Sequence, residues 1–142
     1  MIRRRRISVG GDRGATAVEF ALLLPMLLLI IFGVIDFGRA LNAQITLTQA
    51  AREGVRLDAL GQPQSAVVSR TIQAATGLNL TSSNVTETLT CPLNAGPTAD
   101  ARVDVTYRFS FVTPVGAIAG LFGGNFGGPI TLTAQGVMPC ET

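Results

Sequence analysis

Between Ala15 and Ile35 lie 21 residues of which Glu19 alone is charged. The hydrocarbon core of a bilayer takes about 20 apolar residues in one helix, so this run has the length and composition of a single crossing. Arg3, Arg4, Arg5, Arg6 and Arg13 precede it against Asp12 alone, a local charge of +4 in a chain whose net charge is +2. Asp36 and Arg39 follow it. An arginine cluster on one flank predicts a cytoplasmic N-terminus and a C-terminus delivered outside. The basicity is therefore confined to the head of the chain, and the remaining residues sum to −2. With no lysine anywhere and no basic stripe on the rest of the chain, no nucleic acid is expected as a partner.

An arginine-rich start before an apolar run also describes a secretory signal peptide. The run is longer than the usual apolar region of about 7–15 residues, and it contains Pro25. "RALNAQ" (Arg39 to Gln44) is a mediocre cleavage site. A plain signal anchor fits better, yet neither account explains Glu19. A carboxylate at the centre of a spanning helix costs about 2.5–3.5 kcal/mol on insertion scales, and less near the interface. One reading is that Glu19 reaches the headgroups and is tolerated there. The other begins from its spacing to Gly14.

The pattern Gly14, four residues, Glu19, then Phe20 and a long apolar run resembles the prepilin signal of type IV pilins and pseudopilins. The resemblance implies cutting between Gly14 and Ala15 on the cytoplasmic side by a prepilin peptidase. Ala15 then becomes the mature N-terminus, with Glu19 as its fifth residue and Phe20 as its sixth. Removing residues 1–14 deletes the basic tag and creates an ammonium at the head of an apolar helix. In a bundle of such helices, Glu19 of one subunit can meet the amine of a neighbour, pairing two charges that would be costly if buried alone. A wrong stagger leaves the carboxylate bare, so Glu19 sets register.

Two blocks carry a closer resemblance. They are "RGATAVEFALLLPMLLLIIFGVIDFGRAL" (Arg13 to Leu41) and "TQAAREGVR" (Thr48 to Arg56). In this order they resemble the TadE-like pseudopilins of tight-adherence (Flp) pilus systems. The resemblance implies a minor structural subunit in the bacterial cytoplasmic membrane. Its partners would be the prepilin peptidase, other pilins and pseudopilins, a platform protein and an ATPase. An uncleaved bitopic protein whose outer domain binds an envelope partner, and a major pilin, are the alternatives. The chain ends "VMPCET" (Val137 to Thr142), where the family's C-terminal proline and arginines are partly missing.

Beyond the crossing the helical pattern continues. Ala40, Ala43, Leu47, Ala50, Gly54 and Leu57 recur at three- and four-residue spacing, a stripe of small residues suited to lie under a sheet. "GQP" (Gly61 to Pro63) stops the helix, giving 46 residues from Ala15 and a length of ~69 Å. Pro25 removes one backbone hydrogen bond and predicts a kink or a local melt. "QSAVVSRTIQAATGL" (Gln64 to Leu78) reads as a second helix with Gly77 at its end.

Three strand patterns follow: Asn84 to Cys91, Ala101 to Val115 and Pro129 to Met138. The second alternates most clearly, with Val103, Val105, Tyr107, Phe109 and Phe111 on one face and Asp104 on the solvated one. "PLNAGPTAD" (Pro92 to Asp100) reads as the turn of a hairpin. Cys91 and Cys140, in an oxidising compartment, read as one disulfide, with two buried free thiols the alternative. The expectation is an α+β chain. A leader covers residues 1–14, a transmembrane helix 15–36, its continuation outside the membrane 37–60, and an outer domain 61–142. That domain holds a short helix and an antiparallel sheet of three to four strands.

The glycine-rich stretch Gly116 to Gly128 matches no phosphate-binding loop, since no lysine follows it and the spacing is wrong. It reads as a flexible loop, or through Leu121, Phe122 and Phe126 as a contact with a neighbour or the membrane surface. With no histidine, no triad or facial metal site can be built. The acids Glu87, Asp100, Asp104 and Glu141 lie singly. No catalytic residue, metal, cofactor or small-molecule substrate is expected, and the chain is read as a structural protein and not an enzyme.

Overall fold

The computed structural model describes residues 12–91, 98–114, 120, 123 and 128–141. Helix α1 runs from Asp12 to Ala59, 48 residues and ~72 Å of helix at 1.5 Å per residue. It continues through Pro25, so the local melt expected there does not occur. The helix ends in a double backbone closure. Gly61 N–H donates to the Asp58 carbonyl at 2.8 Å and Gln62 N–H to the Leu57 carbonyl at 3.0 Å, satisfying carbonyls that the helix leaves open. Pro63 then directs the chain into α2, Gln64–Ala74. This second helix stops four residues before the sequence pattern does. Gly77, at φ +81°, lies in the turn that follows, closed by Leu78 N–H on the Ala75 carbonyl.

The sheet has three antiparallel strands in the order β1 (Val85–Leu89), β2 (Asp100–Phe109) and β3 (Ile130–Pro139). Val105 is the central register point, opposite Val85 on one side and Ala134 on the other. Strand β2 ends at Phe109 and not near Val115, because the chain turns there to meet α1. Phe111 lies beyond the strand, its ring edge-on to Phe109 with centroids 5.5 Å apart. The alternation read from sequence holds through Phe109: Ala101, Val103, Val105 and Phe109 are buried. Asp104 faces outward, where Thr88, Gln135 and Arg102 all donate to it. Those hydrogen bonds, Thr88's first, hold its carboxyl below the ordinary value.

One face of the sheet lies on the C-terminal half of α1. Ala43, Leu47, Ala50, Ala51, Val55 and Ala59 are buried there, so the small-residue stripe is the packing face. Burying a leucine such as Leu47 contributes roughly 1.5–3 kcal/mol, and the alanines contribute closeness. A Cβ at Gly136 of β3 would stand 2.5 Å from the Ala51 carbonyl oxygen. Gly54 allows the second close approach, since a Cβ there would run into the Thr71 hydroxyl of α2. Strand β3 climbs α1 as it goes: Gln44 donates to the Thr133 carbonyl at 2.8 Å, and Glu141 N–H to the Ala59 carbonyl at 3.0 Å. The Cys91–Cys140 disulfide joins the end of β1 to the end of β3. Arg3, Arg4, Arg5 and Arg6 of the leader, most of the turn before Asp100, and Leu121, Phe122 and Phe126 lie outside the described residues.

Candidate functional site

The residues singled out at the head of the chain all lie on α1 and all are exposed: Gly14, Ala15, Glu19 and Phe20. Ala15 and Glu19 are four residues apart on one helix, hence on one face and ~6 Å apart along the axis. A helix therefore presents the residue that would carry a new amine and the carboxylate side by side. Gly14 has open space around its Cα. None of the described residues of the sheet or of α2 packs over this segment.

From Val18 to Ile35 the helix is clothed in large apolar side chains, most of them exposed and none of them buried. Its most apolar 18-residue window has a mean hydropathy of 2.7, and none of that window is buried. The helix is long and apolar enough to cross a membrane. An isolated exposed leucine needs no explanation, but two turns after two turns of them mark a surface meant for another medium.

Where that surface ends, Asp36 is 2% exposed. Its carboxylate accepts from the backbone N–H of Val112 and of Thr113, each at 3.3 Å, and from the Thr113 hydroxyl. Arg39, one turn on, reaches the same carboxylate at 3.4 Å and lays its guanidinium 5.3 Å from the Phe109 ring centre. The group fastens the chain after β2 to the helix at the point where the bare segment begins. Sequence reading placed Asp36 only as a flanking charge. The available signal was a lone acid closing an apolar run, paired with Arg39 at the next turn.

At the far end of α1 a second acid is buried. Asp58 is 3% exposed, one oxygen accepting from Cys91 N–H at 3.4 Å and the other without a partner among the described residues. Glu87, opposite Val103 in the sheet, shares its core-facing side, and one of its oxygens also has no partner among the described residues. Burial raises both carboxyls above the ordinary range, and Asp58 raises Glu87 further by its charge. Glu87 thus does not lie singly, as the sequence suggested, but within the influence of Asp58.

The block "AAREG" acquires a physical meaning here. Ala50, Ala51 and Gly54 are the buried residues at the crossing of α1 with β3 and α2. Glu53, on the outer side, pairs with Arg70 of α2 at 3.0 Å. Residues 14–56 match the model of the family described as TadE-like protein. The matched segment takes in the Gly14–Phe20 site, the bare apolar surface, Asp36 and the AAREG crossing. No curated protein and no solved structure matches the chain.

Proposed function

We propose that this chain is a minor pseudopilin, a structural subunit for a Flp-type, tight-adherence pilus. A prepilin peptidase cuts it between Gly14 and Ala15. The N-terminus starts on the cytoplasmic side of the inner membrane, residues 15–36 cross it, and the outer domain faces the other side. Assembly runs through the bare half of α1, where Glu19 of one subunit pairs with the Ala15 amine of the next. The single observation that carries this reading is the match of residues 14–56 to TadE-like proteins, which begins at the glycine of the expected cleavage site. The exposed helical segment behind it supports the same reading, because a helix designed to bundle with others must leave that face open in the single subunit.

Cleavage follows a physical logic. While the arginines remain, the helix is held to the cytoplasmic face by a tag that would have to cross hydrocarbon to be extracted. Once they are gone, the remaining charges near the head are an ammonium and Glu19, and each satisfies the other in a neighbour. The test is the N-terminus of the protein recovered from cells. A mass and a first residue corresponding to Ala15 are expected, and retention of Arg3–Arg6 would favour the uncleaved bitopic alternative instead. Glu19→Ala is expected to be cleaved and folded yet to leave cells without pili.

A further inference from the structure

The outer domain carries apolar side chains on its surface beyond the bare segment, and several cluster at one height. Phe37 is 66% exposed and Val112 72%, with Leu41 and Ile130 also exposed. A groove of about 330 Å³ opens beside them, lined mainly by Gly33, Phe37, Leu41, Phe111, Ile130 and Leu132. The position of this cluster is not free. Asp36 holds the backbone of Val112 and Thr113, and Asp36 immediately follows the 21-residue apolar run.

That run rises ~31 Å, the thickness of the hydrocarbon core. With residues 15–35 in the bilayer, Val112 is pinned at the hydrocarbon edge, and Phe37 lies less than one turn above it. The headgroup layer that begins there is the region where apolar bodies with polar tips are most stable, and interfacial helices bury about 5–10 Å into it. Asp36 itself is equipped for that level: its charge is enclosed by two amides, a hydroxyl and a guanidinium and so is not laid bare to lipid.

We propose that the membrane-proximal end of the outer domain is a lipid-docking surface. In the unassembled subunit Phe37, Val112 and Ile130 enter the headgroup layer, and the adjoining groove takes methylenes of a phospholipid acyl chain. This rests on the membrane-span reading above and adds to it: the domain does not stand clear of the bilayer on a stalk but sits on it. Docking sets the tilt and rotation in which the subunit meets the next one. Extraction into a filament must exchange this lipid for protein.

The chain has no tryptophan, so single-tryptophan variants of the full chain report their own surroundings. Val112→Trp and Phe37→Trp mark the docking end, and Leu27→Trp marks the span. Val137→Trp is the control, because Val137 is also exposed, at 54%, but lies next to Gly136, which packs at Ala51 and Val55. Its level is roughly 25 Å further out. Each variant is reconstituted in phosphatidylcholine–phosphatidylglycerol vesicles containing lipids brominated near the top of the acyl chain. Emission from Val112→Trp and Phe37→Trp should be blue-shifted and quenched several-fold more than that of Val137→Trp. Quenching of Leu27→Trp with neither docking reporter quenched overturns the proposal and leaves the span standing. A blue shift without quenching means protein covers the surface, a second copy for instance, and also overturns it. Loss of quenching at Leu27→Trp as well removes the span reading and the proposal together.

Discussion

The two halves of α1 are chemically different solutions to being a helix. From Val18 to Phe37 the helix displays large side chains, leucine, isoleucine, phenylalanine and methionine, and buries almost none of them. From Ala43 to Ala59 it uses small residues and buries a whole face of them under the sheet and α2. Mean hydropathy alone would rank the first half as the better core. The difference teaches that side-chain size, and not apolarity, marks where a helix meets its own domain. Alanine and glycine let a strand backbone come within reach of the helix backbone, as Gly136 does at Ala51. Bulky aliphatics instead fill space that some other body, lipid or a bundle of neighbours, must share.

The contrast can be broken at the packed half. Replacing Cys91 and Cys140 by serine opens a loop closed across a separation of 49 residues, and chain entropy puts the cost at about 4 kcal/mol. In detergent, the sheet-bearing domain of that variant should melt far below the parent by circular dichroism, while the helical signal of the bare half persists. Equal melting would mean that the core on α1 needs no staple. Gly136→Ala comes next. The added methyl meets a backbone carbonyl that cannot step aside, and the expected loss is about 1–3 kcal/mol in chemical unfolding.

The bare half should behave oppositely. Leu23→Ala removes a large exposed side chain, so the unfolding free energy of the sheet-bearing domain should stay within about 0.5 kcal/mol of the parent. A larger loss would show that the segment packs on its own domain after all. The smallest effect concerns pH. Glu87 keeps its proton to higher pH in the folded chain than in the unfolded one, because burial and Asp58 disfavour its charge. Stability therefore falls as pH rises from the ordinary carboxylate value through the raised one. Glu87→Gln lacks that fall: it should melt slightly above the parent at neutral pH, and the gap should close below about pH 4. A gap that persists in acid would place the effect in packing and not in charge.

Much of this was legible along the chain. The apolar run, the small-residue stripe, the stop at Gly61–Pro63 and the alternation from Ala101 to Phe109 are all periodic or local signals. They depend on neighbours three, four or two residues away. The pairing of Cys91 with Cys140 was readable because there were only two cysteines to pair. The Gly14–Phe20 spacing was readable because it is a spacing. Less legible were the ends of elements: α2 closed early at Ala74, and β2 gave way at Phe109, because its continuation serves a contact with Asp36, 76 residues away in the chain.

By itself, then, the order of residues determined the long helix, its division into bulky and small halves, and three strands, with the inward face of β2. Each follows from backbone propensity and the period of apolar residues, which are properties of short windows. Only the tertiary structure decided that Asp36 would be enclosed by the chain after β2, and that Glu87 would turn inward toward Asp58. It alone decided that Gly54 and Gly136 would be the points of closest approach. Those outcomes depend on which distant backbone arrives beside which side chain. That is settled when the sheet closes on the helix, by steric fit and by the cost of leaving a buried polar group without a partner.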